Sequence, residues 1–157
     1  MSPQATLYEQ DFERWTQAQV ELLRQGRVDR LDIDHLIAEL EEMGKSSLRT
    51  LESRFIILMA HLLKWQFQLD TLAEQWKEFE GKSWRKTIIE QRTQLGFLIE
   101  KAPSLKSSLE LAREEAYPAA RRLAIKETGM PPATFPMECP YSVDELLDED
   151  FLPGEQP

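Results

Sequence analysis

Cysteine is almost missing from this chain: Cys139 is the only one in 157 residues, which leaves no intrachain disulfide and no cysteine-based zinc site. Histidine is nearly as scarce, with His35 and His61 alone. No HExxH motif and no set of histidine-carboxylate helices appears, so no metal and no cofactor is expected. Six glycines against nine prolines leave little material for flexible linkers. No apolar run approaches the ~20 residues needed to cross a bilayer. The opening MSPQATLYEQDFERW lacks the basic start and apolar centre of a secretory signal. A cytoplasmic protein without a membrane segment is the expectation. Nor does any stretch alternate with period two for long enough to make a sheet.

What is present is charge, unevenly placed. The formal total is −9. Residues 1–44 hold ten acids against four bases, residues 45–136 fifteen bases against eleven acids, and residues 137–157 seven acids and no base. An acidic start and an acidic tail flank a mildly basic middle, a self-complementary pattern. Nucleic-acid proteins usually carry an overall surplus of bases.

Apolar residues recur with helical spacing throughout. Tyr8, Phe12, Trp15, Leu22 and Leu23 mark the inner face of a first helix ended by Gly26. Ile33, Leu36, Ile37, Leu40 and Met43 mark that of a second, with Asp32 or Asp34 as cap and Gly44 as stop. A third helix, from Ser46 or Ser47 to about Leu69, is the spine, its core stripe running through Leu51, Phe55, Leu58 and Leu62. A polar connector follows. Ser83 then caps a fourth helix with Trp84, Ile88, Gln91, Leu95, Leu98 and Ile99 inward, and a fifth is kinked or split at Pro118. MPPATFPMECPYS is an extended strap, and Ser142 with Glu145 forms a capping box for a short last helix. The predicted fold is all-α: a compact bundle of about five main helices in one domain over residues 1–157. Its core covers about 8–129, and its strap and acidic tail 130–157.

Candidate sites are few. His61 and Arg54 sit on a polar seam beside the core stripe, and Glu39 or Glu42 on the preceding helix could reach them. A carboxylate there would raise the His61 pKa. Gln91, polar on an inward row, could complete a cluster of Glu39, Arg54, His61 and Gln91. An inter-helix bond is the first reading of that seam, and acid–base chemistry the second. Lys64, nearly opposite Phe55, is placed in solvent or in a surface pair. His35 and Glu39, four apart, have a spacing that metal sites use. Arg85, Lys86 and Arg92 make a basic patch on the fourth helix, able to grip phosphates or carboxylates. Ile89 and Phe97 lie off the core stripe and mark a partner or dimer surface. Cys139 is read as a spacer.

The segments YEQDFERWTQAQ, LDIDHLIAELEEMGKS, HLLKWQ, SWRKTIIEQR and ETGMPPATFPMECPYSVDELLDEDFLP resemble a bacterial, largely cyanobacterial family catalogued as domain of unknown function 29. The resemblance runs from Tyr8 to Pro153, with nothing from the connector at about 70–82. It implies a compact helical fold and a bacterial, cytoplasmic setting, and no activity or catalytic residue.

The expectation for function is therefore a non-enzymatic module that binds another protein or itself. Two alternatives stand beside it: a nucleic-acid binder using the fourth helix, and a ligand binder or enzyme at the polar cluster.

Overall fold

The computed structural model describes residues 3–154, with side chains from residue 6 onward. Six α-helices and no strand are present among them: α1 (Pro3–Gln10), α2 (Phe12–Arg24), α3 (Ile33–Phe67), α4 (Glu74–Lys101), α5 (Leu109–Thr128) and α6 (Val143–Leu147). By their contacts the residues fall into two compact units, Met1–Ser46 and Ser47–Pro157.

In the first unit the expected single helix is two. Asp11 adopts an extended conformation (φ −153°, ψ 88°) and its carboxylate accepts from the Arg14 backbone N–H at 3.1 Å, which caps α2 and separates it from α1. Gly26, with φ 71°, lies just beyond the end of α2 as expected. Trp15 and Gln19 are buried. The inner face read for the start of α3 is not inner: Ile33 is 47% exposed, Ile37 50%, Leu40 64% and Met43 69%. Phe12 and Leu23 are also exposed.

The helix stop expected at Gly44 is absent too, because α3 passes through it as one 35-residue helix. Gly44 is not among the residues with positive φ, and one glycine among strong helix formers costs only about 0.5–1 kcal/mol.

In the second unit Leu51, Phe55, Leu58, Met59, Leu62 and Leu63 of α3 are fully buried, as their spacing requires. They share one core with Ile88 and Leu95 of α4 and with α5. The buried side of α5 is a row of Ala112, Ala116, Ala120 and Ala124, four residues apart; such small side chains let a neighbouring backbone come close. Pro118 sits inside α5 without dividing it. Packing along that row on both sides of the proline outweighs a penalty of about 3 kcal/mol. Helix α4 starts at Glu74, not at Ser83, with Ala73 making no side-chain cap. Gly129 ends α5 in the left-handed conformation (φ 68°).

The strap follows. Ser142 and Glu145 exchange their capping bonds as expected, at 3.1 and 3.0 Å. Phe135, Tyr141, Leu146 and Leu152 join the core.

Candidate functional site

The residues grouped by sequence into one polar cluster enter separate arrangements. Glu39 lies in the first unit, where its carboxylate accepts from the Tyr8 hydroxyl. In the second unit Arg54 donates to the Gln91 side-chain carbonyl at 3.3 Å, which satisfies the buried amide. His61 turns back on its own helix: Nδ1–H donates to the Ile57 carbonyl at 2.8 Å. Burial, with Lys64 nearby, pushes the His61 pKa down despite that bond. The expected upward shift is therefore reversed, because no carboxylate bonds the ring.

Lys64 is not a surface residue. Its side chain is buried, its ammonium pairs with Glu127, and it stands 5.5 Å from the centre of the Trp84 ring. A cation on an aromatic face with a carboxylate beside it is a satisfied pair.

The first unit holds a network that sequence spacing did not reveal. Asp32 is buried just before α3, accepts from Trp15 Nε1 at 3.0 Å and from His35 Nδ1 at 2.7 Å, and its backbone N–H donates to Gln19 at 2.9 Å. Burial alone would raise the Asp32 pKa, but the bonds from His35 and Trp15 outweigh it and hold it below the usual carboxylate value. Tyr8 stacks on His35 with ring centres 3.8 Å apart. With its Nδ1 on Asp32, His35 serves this packing. Among the described residues no group of three or more histidine, cysteine or acidic side chains is placed to hold a metal ion.

Arg92, grouped on sequence with Arg85 and Lys86, is withdrawn from any shared patch. It is 6% exposed, and its guanidinium donates to the carbonyls of Leu146 at 2.9 Å, Phe151 at 2.8 Å and Glu145 at 3.0 Å. Two further arginines do the same along the strap. Arg113 donates to Tyr141 at 3.1 Å, and Arg121 to Phe135 at 3.2 Å and Pro132 at 2.7 Å. A proline-rich segment has carbonyls but few N–H groups, so it cannot pair its own backbone. Guanidinium forks supply the missing donors. No local sequence pattern links Arg113 and Arg121 to the proline-rich segment; the fold brings them together. Cys139, within this strap, is half-buried, its thiol 3.5 Å from Met59 Sδ and its pKa raised by burial. That environment disfavours the thiolate.

What remains open is the outer face of α4. At 3.6 residues per turn, Phe79 and Phe97 are five whole turns apart and share one line. Lys82, Lys86 and Ile89 fall within about 80° of that line, roughly opposite the buried row Gly81, Trp84, Ile88, Leu95. Phe79 is 65% exposed, Ile89 53% and Phe97 61%. Phe79, Lys82, Ser83, Arg85, Lys86 and Ile89 line a shallow groove of about 620 Å³. Helix α4 thus has apolar residues on two sides, one packed in the core and one exposed, the latter carrying Lys82 and Lys86 with Glu90 close to the same line.

Residues 7–152 match the family described as Domain of unknown function DUF29, and the chain belongs to it. No curated protein and no solved structure matches the chain. Among the described residues, no helix is long and apolar enough to cross a membrane.

Proposed function

We propose that this member of the family is a protein-interaction module whose docking face is the outer side of α4, and that its partner there is an acidic amphipathic helix. One observation carries the reading: Phe79, Ile89 and Phe97 are exposed on the side of α4 away from the core, with Lys82 and Lys86 among them, Arg85 at the edge and Glu90 the acid close to the same line. A helix packed on only one side has no need of a second apolar stripe. An apolar groove rimmed by cations fits a helix that brings leucine-like anchors and carboxylates together.

The same chemistry argues against nucleic acid as the first choice. Phosphate binding needs cations in number, and Arg92, the third base of that reading, spends its donors on the strap. Exposed Phe79 and Ile89, on either side of Lys82 and Lys86, would be unmatched by a sugar-phosphate backbone.

The test is fluorescence anisotropy with a synthetic acidic amphipathic helix as probe and its charge-reversed version as control. The full chain binds the acidic probe, and Ile89→Asp and the pair Lys82→Glu, Lys86→Glu each weaken binding at least tenfold while circular dichroism stays unchanged. Equal binding of both peptides, or binding indifferent to Ile89→Asp, overturns the proposal. Binding of duplex DNA that needs the lysines but not Ile89 would select the nucleic-acid reading instead.

A further inference from the structure

The first unit carries the complement of that face. Ile33, Ile37, Leu40 and Met43 recur at three and four residues along α3, as a buried stripe does, yet each is about half exposed or more. Asp34 and Glu41 stand together on one shoulder of the stripe, both exposed. This is an acidic amphipathic helix with no cover for its apolar side, the partner chemistry just assigned to the α4 groove.

We infer that the occupant of the α4 face is the start of α3 from a second copy of this chain. The inference rests on the reading of that face as a docking site for an acidic amphipathic helix. Three further observations bring the two surfaces together. The stripe from Ile33 to Met43, eleven residues or about 15 Å of helix, matches the Phe79-to-Ile89 stretch of the α4 face, which continues to Phe97. They match in charge: Lys82 and Lys86, with Arg85 at the edge and only Glu90 against them on that stretch of the face, oppose Asp34 and Glu41, and residues 1–44 hold ten acids against four bases. That same excess of acid works against the simpler alternative, the α3 stripe of one copy lying on the α3 stripe of another. Finally, Gly44 is exposed and a Cβ placed there would touch nothing within 4 Å. It leaves the end of the stripe open to close approach by a neighbouring helix.

The size is adequate. Four side chains of this kind, half to two-thirds exposed, remove on the order of 400 Å² of apolar surface per copy. One such contact with its polar surround lies at the low end of specific interfaces, and two reciprocal contacts reach the standard of about 1,600 Å² in total. The contact is heterologous, so copies either close reciprocally or run on in chains. Each contact uses one α3 stripe and one α4 face.

The experiment is native mass spectrometry and light scattering on the full chain, at concentrations from about 1 to 200 µM, with two variants. Ile37→Asp damages only the α3 stripe, and Ile89→Asp only the α4 face. Both positions are exposed, so both variants fold; circular dichroism checks this. The wild type associates in the micromolar range, and each variant alone dissociates with at least a tenfold weaker constant. Mixing the two variants restores association, because Ile89→Asp still offers an intact α3 stripe and Ile37→Asp an intact α4 face. Charge exchange gives a second readout: Asp34→Lys with Glu41→Lys dissociates the chain, and adding Lys82→Glu with Lys86→Glu brings it back.

A wild type that stays monomeric at 200 µM overturns the inference. So does an Ile89→Asp variant that still associates, which would place the contact elsewhere. If the wild type is monomeric yet α4 binds the synthetic acidic helix, the docking face stands and only its assignment to a second copy falls. If neither occurs, both fall.

Discussion

Replacing Arg92 by methionine should release the C-terminal strap. Arg92 is 6% exposed and its guanidinium makes three hydrogen bonds to main-chain carbonyls, at 2.8 to 3.0 Å. A hydrogen bond with one charged member contributes about 1.5–3 kcal/mol, so three give ~4.5–9 kcal/mol gross. Burial opposes this, pulling the Arg92 pKa down although Asp148, Asp150 and Glu149 pull it up, and desolvating a cation takes back several kcal/mol. The net loss in Arg92→Met is then about 3 kcal/mol. For a chain of this length that lowers the melting temperature by roughly 6–12 °C. The local consequence is more specific: chymotrypsin should cut quickly at Leu147 and Phe151 in the variant and slowly in the wild type. Arg92→Lys should fall between the two, because one ammonium cannot span three carbonyls. Salt at 1 M should leave the wild-type strap in place, since screening acts on the nearby carboxylates and not on bonds to carbonyls. An Arg92→Met protein that melts within about 2 °C of the wild type, with its strap still protected, would refute this account.

Acidification tests His61. Its folded pKa lies below the usual 6.5 because burial disfavours the cation, so the unfolded chain binds the proton more readily. Stability is therefore retained above pH 6.5 and lost as pH falls from there through the folded pKa, and His61→Gln should flatten that part of a urea-midpoint profile. Glycines give a paired test by calorimetry. Gly44→Ala should stabilise by about 0.5–1 kcal/mol, as a helical site with open space. Gly129→Ala should destabilise by about 1 kcal/mol or more, because φ is 68°. Glu127→Gln should lower stability by about 1–2 kcal/mol, a figure already reduced for the 40% exposure of its side chain. Adding Lys64→Met should recover part of that loss, and a double variant no better than Glu127→Gln alone would count against the pairing.

The parts of the fold that sequence made legible are those governed by short-range rules. The α3 stripe from Leu51 to Leu63, the left-handed Gly129 and the Ser142–Glu145 box all depend on spacing within one element. Periodicity states that a face is apolar but not what covers it, which is why Ile33, Ile37, Leu40 and Met43 read as core and are exposed. At Gly44 and Pro118 the flanking turns outweigh a single-residue stop signal and carry the helix on. The site residues divide in the same way. The exposure of Ile89 and Phe97 follows from a helical wheel that places them off the core row. Arg92 was visible as a charge, but its partners lie 53 to 59 residues further along, and no local pattern predicts a guanidinium bonded to backbone. Lys64 was misplaced because a helical wheel does not register Trp84 and Glu127, which give a buried ammonium its company.

The same separation sets an order of events during synthesis. Arg92 leaves the ribosome more than fifty residues ahead of the three carbonyls it will bond. At ~5–20 residues per second, several seconds pass in which helices α3 and α4 can pair while that guanidinium lacks its three carbonyl acceptors. It must stay hydrated until then, so the region around Ile88 and Leu95 remains wet at one edge. Completion of the second unit is thus timed by the arrival of Glu145 to Phe151. A ribosome stalled before that point would hold a nascent chain with its helices formed and its core not yet sealed.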